Sequence, residues 1–288
     1  MVVQPARADA YTGVVSKDEQ TRPEPVGGTW YPDTLRKYTE GDIVLHIHGG
    51  AFVTGDGRAG DSGFAAQTIL QHTKASYTFF PQYRLSSNGA RFPAALQDVI
   101  TCYCYLTETL EIPAGKLTIS GDSAGGNLSM SLLRYIADHP HAKLSNPVCA
   151  WLWSPWVNPG KGSIFDPPYV SANAHTDYLN DRILSWGART YTPRPETGIT
   201  LAHPNICFAG APFPTLTPLL FSAGECEALF ADIVEVYEEM KKVPGNKVEL
   251  QIQNYAIHAI VALGKITGFE KQAVAAAKVA NQFLESCK

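Results

Sequence analysis

Charge is scarce in this chain: Asp, Glu, Lys and Arg make up 17% of its 288 residues, and the net charge is only −4. A balance that small gives no basic patch for nucleic acid and no attraction to an anionic membrane. Long hydrophobic runs are missing as well. No stretch approaches the roughly 18 apolar residues of a membrane span. The opening segment Met1-Val2-Val3-Gln4-Pro5-Ala6-Arg7-Ala8-Asp9 lacks the charged and apolar regions of a signal peptide. Metal-like cysteine spacing is also absent. The six cysteines stand at 102, 104, 149, 207, 226 and 287, which reads as a reduced chain and predicts a cytoplasmic location. There is no internal repeat and no low-complexity tract. What remains is 45% apolar residues, enough for one large globular domain over 1–288.

The most informative stretch is Gly121-Asp122-Ser123-Ala124-Gly125. An apolar, β-prone run at 117–120 precedes it. Leu128, Leu132, Leu133 and Ile136 follow at the spacing of one helix face. Strand, tight turn and helix are the setting of a nucleophile elbow, in which small flanking residues leave the serine hydroxyl exposed above a sheet. On its own the pentapeptide could equally be a glycine-rich turn with an ordinary serine. A serine hydroxyl becomes a nucleophile at neutral pH only with a base, an orienter for that base and donors for the oxyanion.

Each partner has a candidate. The strand-like run 42–47 leads into His48-Gly49-Gly50-Ala51-Phe52, a loop bare enough for backbone N–H groups to approach a carbonyl. Ala124 follows the serine and opens a helix, so its N–H has no partner within that helix. The base must titrate near pH 7, which points to histidine. Of eight histidines, His258 alone follows the last strand-like run, 248–253, and fits the order serine, acid, histidine. The acid should follow the strand at 218–222. Glu225, Glu227 and Asp232 compete for that place; Glu227 is preferred and Glu225 held in reserve.

With these residues in view, the chain resembles the hormone-sensitive-lipase-type family of α/β-hydrolases. His48-Gly49-Gly50 matches the family's namesake loop. Tyr83-Arg84-Leu85 with Phe92-Pro93-Ala94-Ala95-Leu96-Gln97-Asp98 matches a further motif, and Gly121 to Asn127 matches its elbow. Ser154-Pro155-Trp156-Val157, Asp177-Tyr178-Leu179 and Trp186 match its lid-side signals. The resemblance implies a triad of Ser123, Glu227 and His258. It implies oxyanion donors at the amides of Gly49, Gly50, Ala51 and Ala124. It also implies a carboxylesterase-like reaction that needs no metal or organic cofactor. Three departures stand out. The family places Asp-Pro-Leu where this chain has Glu227-Ala228-Leu229. The third loop glycine is Ala51. Only 47 residues precede His48, where the family carries a helical cap segment, so a reduced cap and an open site are expected, or cover borrowed from a partner in a homodimer.

Elsewhere, strand-like segments at 42–48, 77–82, 117–120, 148–153, 218–222 and 248–253 alternate with helical ones at 64–72, 93–110, 124–138, 228–240 and 269–286. That alternation predicts a mainly parallel sheet with helices on both faces, the α/β-hydrolase fold. Thr267 and Glu270 suggest a capping box for the last helix. Residues 1–40 read as a loosely packed polar segment. Residues 155–218 hold ten of the 20 prolines and break the rhythm. A lid insertion over about 155–215 is expected there, with Trp156, Phe165, Tyr178, Trp186 and Phe208 as substrate contacts. The substrate class expected is a small, apolar or aromatic ester. Two alternatives share the scaffold: a thioesterase, lactonase or acyltransferase acting on a bulky intermediate, and a non-catalytic small-molecule receptor.

Overall fold

The computed structural model describes residues 1–38, 40–161 and 171–288. One eight-stranded sheet runs through it: β1 (Val2–Val3), β2 (Val26–Tyr31), β3 (Asp42–Ile47), β4 (Ala75–Gln82), β5 (Leu117–Asp122), β6 (Cys149–Trp153), β7 (Leu219–Gly224) and β8 (Val248–Gln253). Their spatial order is β1-β2-β4-β3-β5-β6-β7-β8. Every pairing from β4 to β8 is parallel, and β1 and β2 form an antiparallel edge.

Central strands buried on both faces should be apolar almost throughout, and β3 is buried along its whole length. Ile43, Leu45 and Ile47 face one core together with residues of α2 (Ala94–Cys104), α3 (Ala124–Asp138) and α5 (Phe230–Lys241). Val44 faces the other core, built with Ile69 of α1 (Ala59–His72), Val261 of α6 (Ile260–Thr267) and Ala276, Ala280 and Phe283 of α7 (Glu270–Ser286). Strand alternation thus divides the helices between the two faces.

Three expectations need correction. Residues 1–40 are not loosely packed: they supply β1 and β2, and Trp30 is buried against Phe79 at a ring separation of 4.8 Å. Gly27 and Gly28 hide the strand pattern, and Gly28 is required because a Cβ there would fall 2.1 Å from the Phe79 ring. The capping box is not formed. Thr267 ends α6 and donates its hydroxyl to the Leu263 carbonyl at 2.9 Å, while α7 starts after Phe269. The long helix at 93–110 stops at Cys104, and a wider turn, Tyr105–Thr109, completes it. The 155–218 stretch also contains a regular helix, α4 (Asp181–Tyr191), capped by the Asn180 side chain on the amides of Arg182 and Ile183.

Glycine fixes the approach of α3 to the sheet. A Cβ on Gly125 would lie 1.9 Å from the Ile47 carbonyl oxygen, and one on Gly121 would lie 2.4 Å from the Gly125 carbonyl oxygen. Both obstacles are backbone and cannot rotate aside. Gly125→Ala is therefore expected to cost about 3 kcal/mol or more of unfolding free energy in urea titration; an unchanged midpoint would contradict this packing.

Candidate active site

The loops after the parallel strands β3, β5, β7 and β8 come to one edge of the sheet, where a cavity of about 360 Å³ opens. Its wall includes His48, Gly49, Gly50, Ala51, Asp122, Ser123, Tyr178, Leu179, Ile183, His258, Ala262 and Leu263.

Ser123 sits between β5 and α3 with φ 51° and ψ −118°, a region that L-residues other than glycine rarely enter. Its backbone is held on both sides. The amide donates to the Trp153 carbonyl at 2.9 Å, and the carbonyl accepts from Asn127 at 3.0 Å and Trp156 at 2.9 Å. Asn127 also donates its side-chain amide to the carbonyls of Trp156 and Ile206, tying the elbow helix to the irregular stretch beyond β6.

His258 lies in the loop after β8. Its Nδ1 donates to Glu227 Oε2 at 3.2 Å, and both side chains are buried. That bond fixes the tautomer and leaves Nε2 with its lone pair. Burial alone would lower the His258 pKa. The hydrogen bond and charge of Glu227 outweigh it, aided by the charges of Asp177 and Asp122, and the net direction is upward. For Glu227, burial raises the pKa, opposed by the bond and charge of His258. Glu225 is exposed and accepts instead from the Tyr255 amide at 2.9 Å. Asp232 is buried on α5 and pairs with Lys161. The only one of the three acids in contact with His258 is therefore Glu227.

The glycine loop is strained in the same manner as the elbow. Gly50, Ala51 and Phe52 have φ of 100°, 51° and 65°. Among the described residues no hydrogen bond is made by the amides of Gly50 and Ala51, and the Ala124 amide opens α3 with no intrahelical partner. Gly49 departs from expectation: its N–H is committed to Asp122 Oδ1 at 3.1 Å. The free amides on this side are those of Gly50, Ala51 and Ala124. Glycine is nonetheless needed at 49, since a Cβ would meet Asp122 Oδ2 at 2.3 Å.

A buried polar chain beneath the loop escaped the sequence reading. Trp153 Nε1 donates to Ser120 Oγ at 2.9 Å; Ser120 Oγ meets His46 Nδ1 at 2.9 Å; His46 Nε2 meets Asp122 Oδ1 at 3.1 Å. With Nε2 donating to Asp122 and Nδ1 accepting from Ser120, every member of the chain has a partner. The signal was a histidine inside an apolar strand, a position that demands partners. His48 is buried, stacks on Tyr83 at 4.3 Å and donates Nδ1 to the Gly49 carbonyl. Burial lowers its pKa and keeps it neutral, so it shapes the loop.

The expected substrate contacts separate into four outcomes. Tyr178 lines the cavity. Trp156 and Phe208 do not; both are buried in the core, Trp156 stacked near Phe52 at 5.6 Å and Phe208 beside Phe213. Trp186 is not part of the cavity wall and is 40% exposed. Phe165 falls outside the described residues. Apolar wall comes instead from the aliphatic residues Leu179, Ile183, Ala262 and Leu263.

Residues 44–262 match a family model described as the alpha/beta hydrolase fold. An acetyl-hydrolase of Streptomyces hygroscopicus is 28% identical over 203 residues, covering 67% of this chain and 60% of that protein. An ethyl acetate hydrolase of Pseudomonas putida is 23% identical over 232 residues, covering 78% and 68%. The chain spans half to two thirds of the length of the first curated relatives it matches. The crystal structure of a hormone-sensitive lipase from a metagenome library superimposes with a TM-score of 0.71 at 23% identity, covering 86% of this chain and 78% of that one; at this identity the likeness concerns the fold.

Proposed function

The chain belongs to the α/β-hydrolase family, and from that premise we propose that it is a serine hydrolase of small carboxylic esters, working through an acyl-enzyme. The observation that carries this reading is the buried Glu227–His258 pair sharing one cavity with a serine held in a strained elbow. His258 Nε2 takes the Ser123 proton as Oγ attacks the ester carbonyl. The amides of Gly50, Ala51 and Ala124 receive the oxyanion. His258 protonates the leaving alcohol and then activates the water that frees the acid. Glu227 keeps the imidazole in its tautomer and stabilises the imidazolium.

The cavity volume suits a short acyl group, and Leu179, Ile183 and Leu263 suit apolar substrate parts. The names of the relatives, acetyl-hydrolase and ethyl acetate hydrolase, point the same way. In this reading residues 155–215 act as a lid, because Tyr178, Leu179, Asn180 and Ile183 of that stretch form cavity wall. The six cysteines are free, which fits a reducing, cytoplasmic setting. Among the described residues no helix is long and apolar enough to cross a membrane.

Hydrolysis of p-nitrophenyl esters from acetate to laurate tests the proposal. Turnover should be highest for the short chains. Because the base must be neutral and its pKa is raised, kcat/KM should climb with pH through a limb centred above the ordinary imidazole value of about 6.5. No hydrolysis of any chain length, or a limb centred below that value, would count against the assignment.

A further inference from the structure

The acid loop of this chain is an unusual problem. It carries glutamate, with one more rotatable bond than aspartate, and the next residue is Ala228, which does not lock the backbone as a proline ring does. The loop's own backbone bonds are Glu225 to the Gln253 carbonyl at 3.0 Å, Cys226 to the Ala256 carbonyl at 2.9 Å, Glu227 to the Gly224 carbonyl at 3.1 Å and Phe230 to the Glu227 carbonyl at 3.2 Å, and none of them reaches the histidine side chain. Something else must hold Glu227 still if it is to orient His258.

Ser171, Asn173, Thr176 and Asp177 do so from one short segment. Asn173 Nδ2 donates to the carbonyls of Glu225 at 2.9 Å and Glu227 at 3.1 Å. Thr176 Oγ1 donates to the Cys226 carbonyl at 2.8 Å, and Ser171 Oγ donates to the Ala228 carbonyl at 2.7 Å. Asp177 completes the set in the opposite sense: Oδ2 accepts from the Ala228 amide at 2.7 Å, and Oδ1 accepts from the His258 amide at 3.3 Å. Four consecutive carbonyls and one amide of the acid loop are thus engaged by side chains of one short segment. A single carboxylate bridges the acid loop to the histidine loop. The next residues, Tyr178, Leu179 and Asn180, are cavity wall.

We infer that residues 171–177 form a strap that positions the Glu227–His258 pair, with Asp177 as its central positioning residue. The inference rests on the triad reading given above. It joins substrate cover and catalytic geometry in one continuous piece of chain, so the lid-side segment also sets the angle at which the imidazole meets the serine. Five hydrogen bonds to the acid loop and a sixth to the histidine loop, neutral or charge-assisted, supply the rigidity.

The strap is tested on the full chain with three variants. Asp177→Asn puts an amide N–H against a backbone N–H and removes a negative charge. Thr176→Val removes the hydroxyl with little change of shape, and Thr176→Ser restores it. Readouts are kcat and KM separately for p-nitrophenyl acetate, the pH profile of kcat/KM, thermal unfolding, and labelling of Ser123 by a fluorophosphonate. Asp177→Asn should lower kcat roughly 10- to 100-fold with KM within about twofold, since a displacement of the order of 1 Å has effects of that size. The carboxylates facing His258 are Glu227, Asp177 and Asp122. Loss of one of them should move the acid limb to lower pH. Thr176→Val should lower kcat several-fold, and Thr176→Ser should return it to near the wild-type value. An Asp177→Asn enzyme with wild-type kcat and pH profile would overturn the inference. So would a loss that follows only the fall in unfolding temperature and is shared by Thr176→Ser. If the wild-type chain itself hydrolyses no ester and takes no label at Ser123, the triad reading fails, and the strap falls with it.

Discussion

Ser123→Ala is expected to lower kcat/KM for p-nitrophenyl acetate by about 10⁵-fold while leaving the fold in place. The change deletes one oxygen from a residue that is already nearly buried. The backbone strain at φ 51° is set by the Trp153, Asn127 and Trp156 contacts and by the close approach of Gly121 and Gly125. Alanine meets the same strain as serine, so unfolding temperature and circular dichroism should match the wild type. What disappears is the attacking atom. Residual hydrolysis would come from the free amides of Gly50, Ala51 and Ala124 acting on bound ester with water as nucleophile. Loss of activity accompanied by unfolding would not assign the serine, so the structural control belongs to the prediction. Wild-type turnover by a folded Ser123→Ala chain would remove Ser123 from the mechanism.

The second large effect is expected at the acid. Glu227→Gln keeps length and volume but removes the charge that stabilises the imidazolium, and the amide can accept from His258 Nδ1 or oppose it with its own N–H. A fall of about 10⁴-fold in kcat is expected, equivalent to about 5 kcal/mol of transition-state stabilisation. The sign of the accompanying pH effect follows from the same contact. Glu227 holds the His258 pKa up against burial, so its neutralisation lowers that pKa and the acid limb of the residual activity moves to lower pH. Glu225→Gln should leave turnover within about twofold, because the Glu225 side chain is exposed and its carboxylate accepts from the Tyr255 amide and not from His258. The reverse ranking would transfer the orienting role to Glu225.

Much of this site was legible from the chain, and the reason is geometric. Parallel strands put the loops that follow them at one sheet edge, so locating β3, β5, β7 and β8 located the glycine loop, Ser123, Glu227 and His258 together. The helix over 124–138 and the strand over 248–253 were read to the residue, because their hydrophobic periods are undisturbed. Legibility failed where tertiary contact, and not local pattern, decides the outcome. Gly27 and Gly28 concealed β2, whose backbone is shaped by the Phe79 ring. Nothing local shows that Asp122 captures the Gly49 amide. The aromatic residues of 155–218 could not be sorted by composition: Trp156 and Phe208 serve the core, and smaller aliphatic residues line the cavity. The segment Tyr83-Arg84-Leu85…Asp98 carried a family motif whose meaning is structural. Arg84 Nε and Nη2 grip the buried Asp98 carboxylate at 2.8 to 3.0 Å, beside the site and not in it. Burial pushes that carboxyl up to about 6 against the pull of Arg84.

The convergence of Ser123, His258 and Glu227 is tested most directly by peptide mapping of the chain after reaction with a fluorophosphonate. One adduct per chain is expected, on Ser123, with its rate greatly reduced in Glu227→Gln and abolished in His258→Gln. An adduct on any other residue, or an ester-hydrolysing chain that takes no adduct at all, would contradict the convergence of Ser123, His258 and Glu227 on which everything above depends.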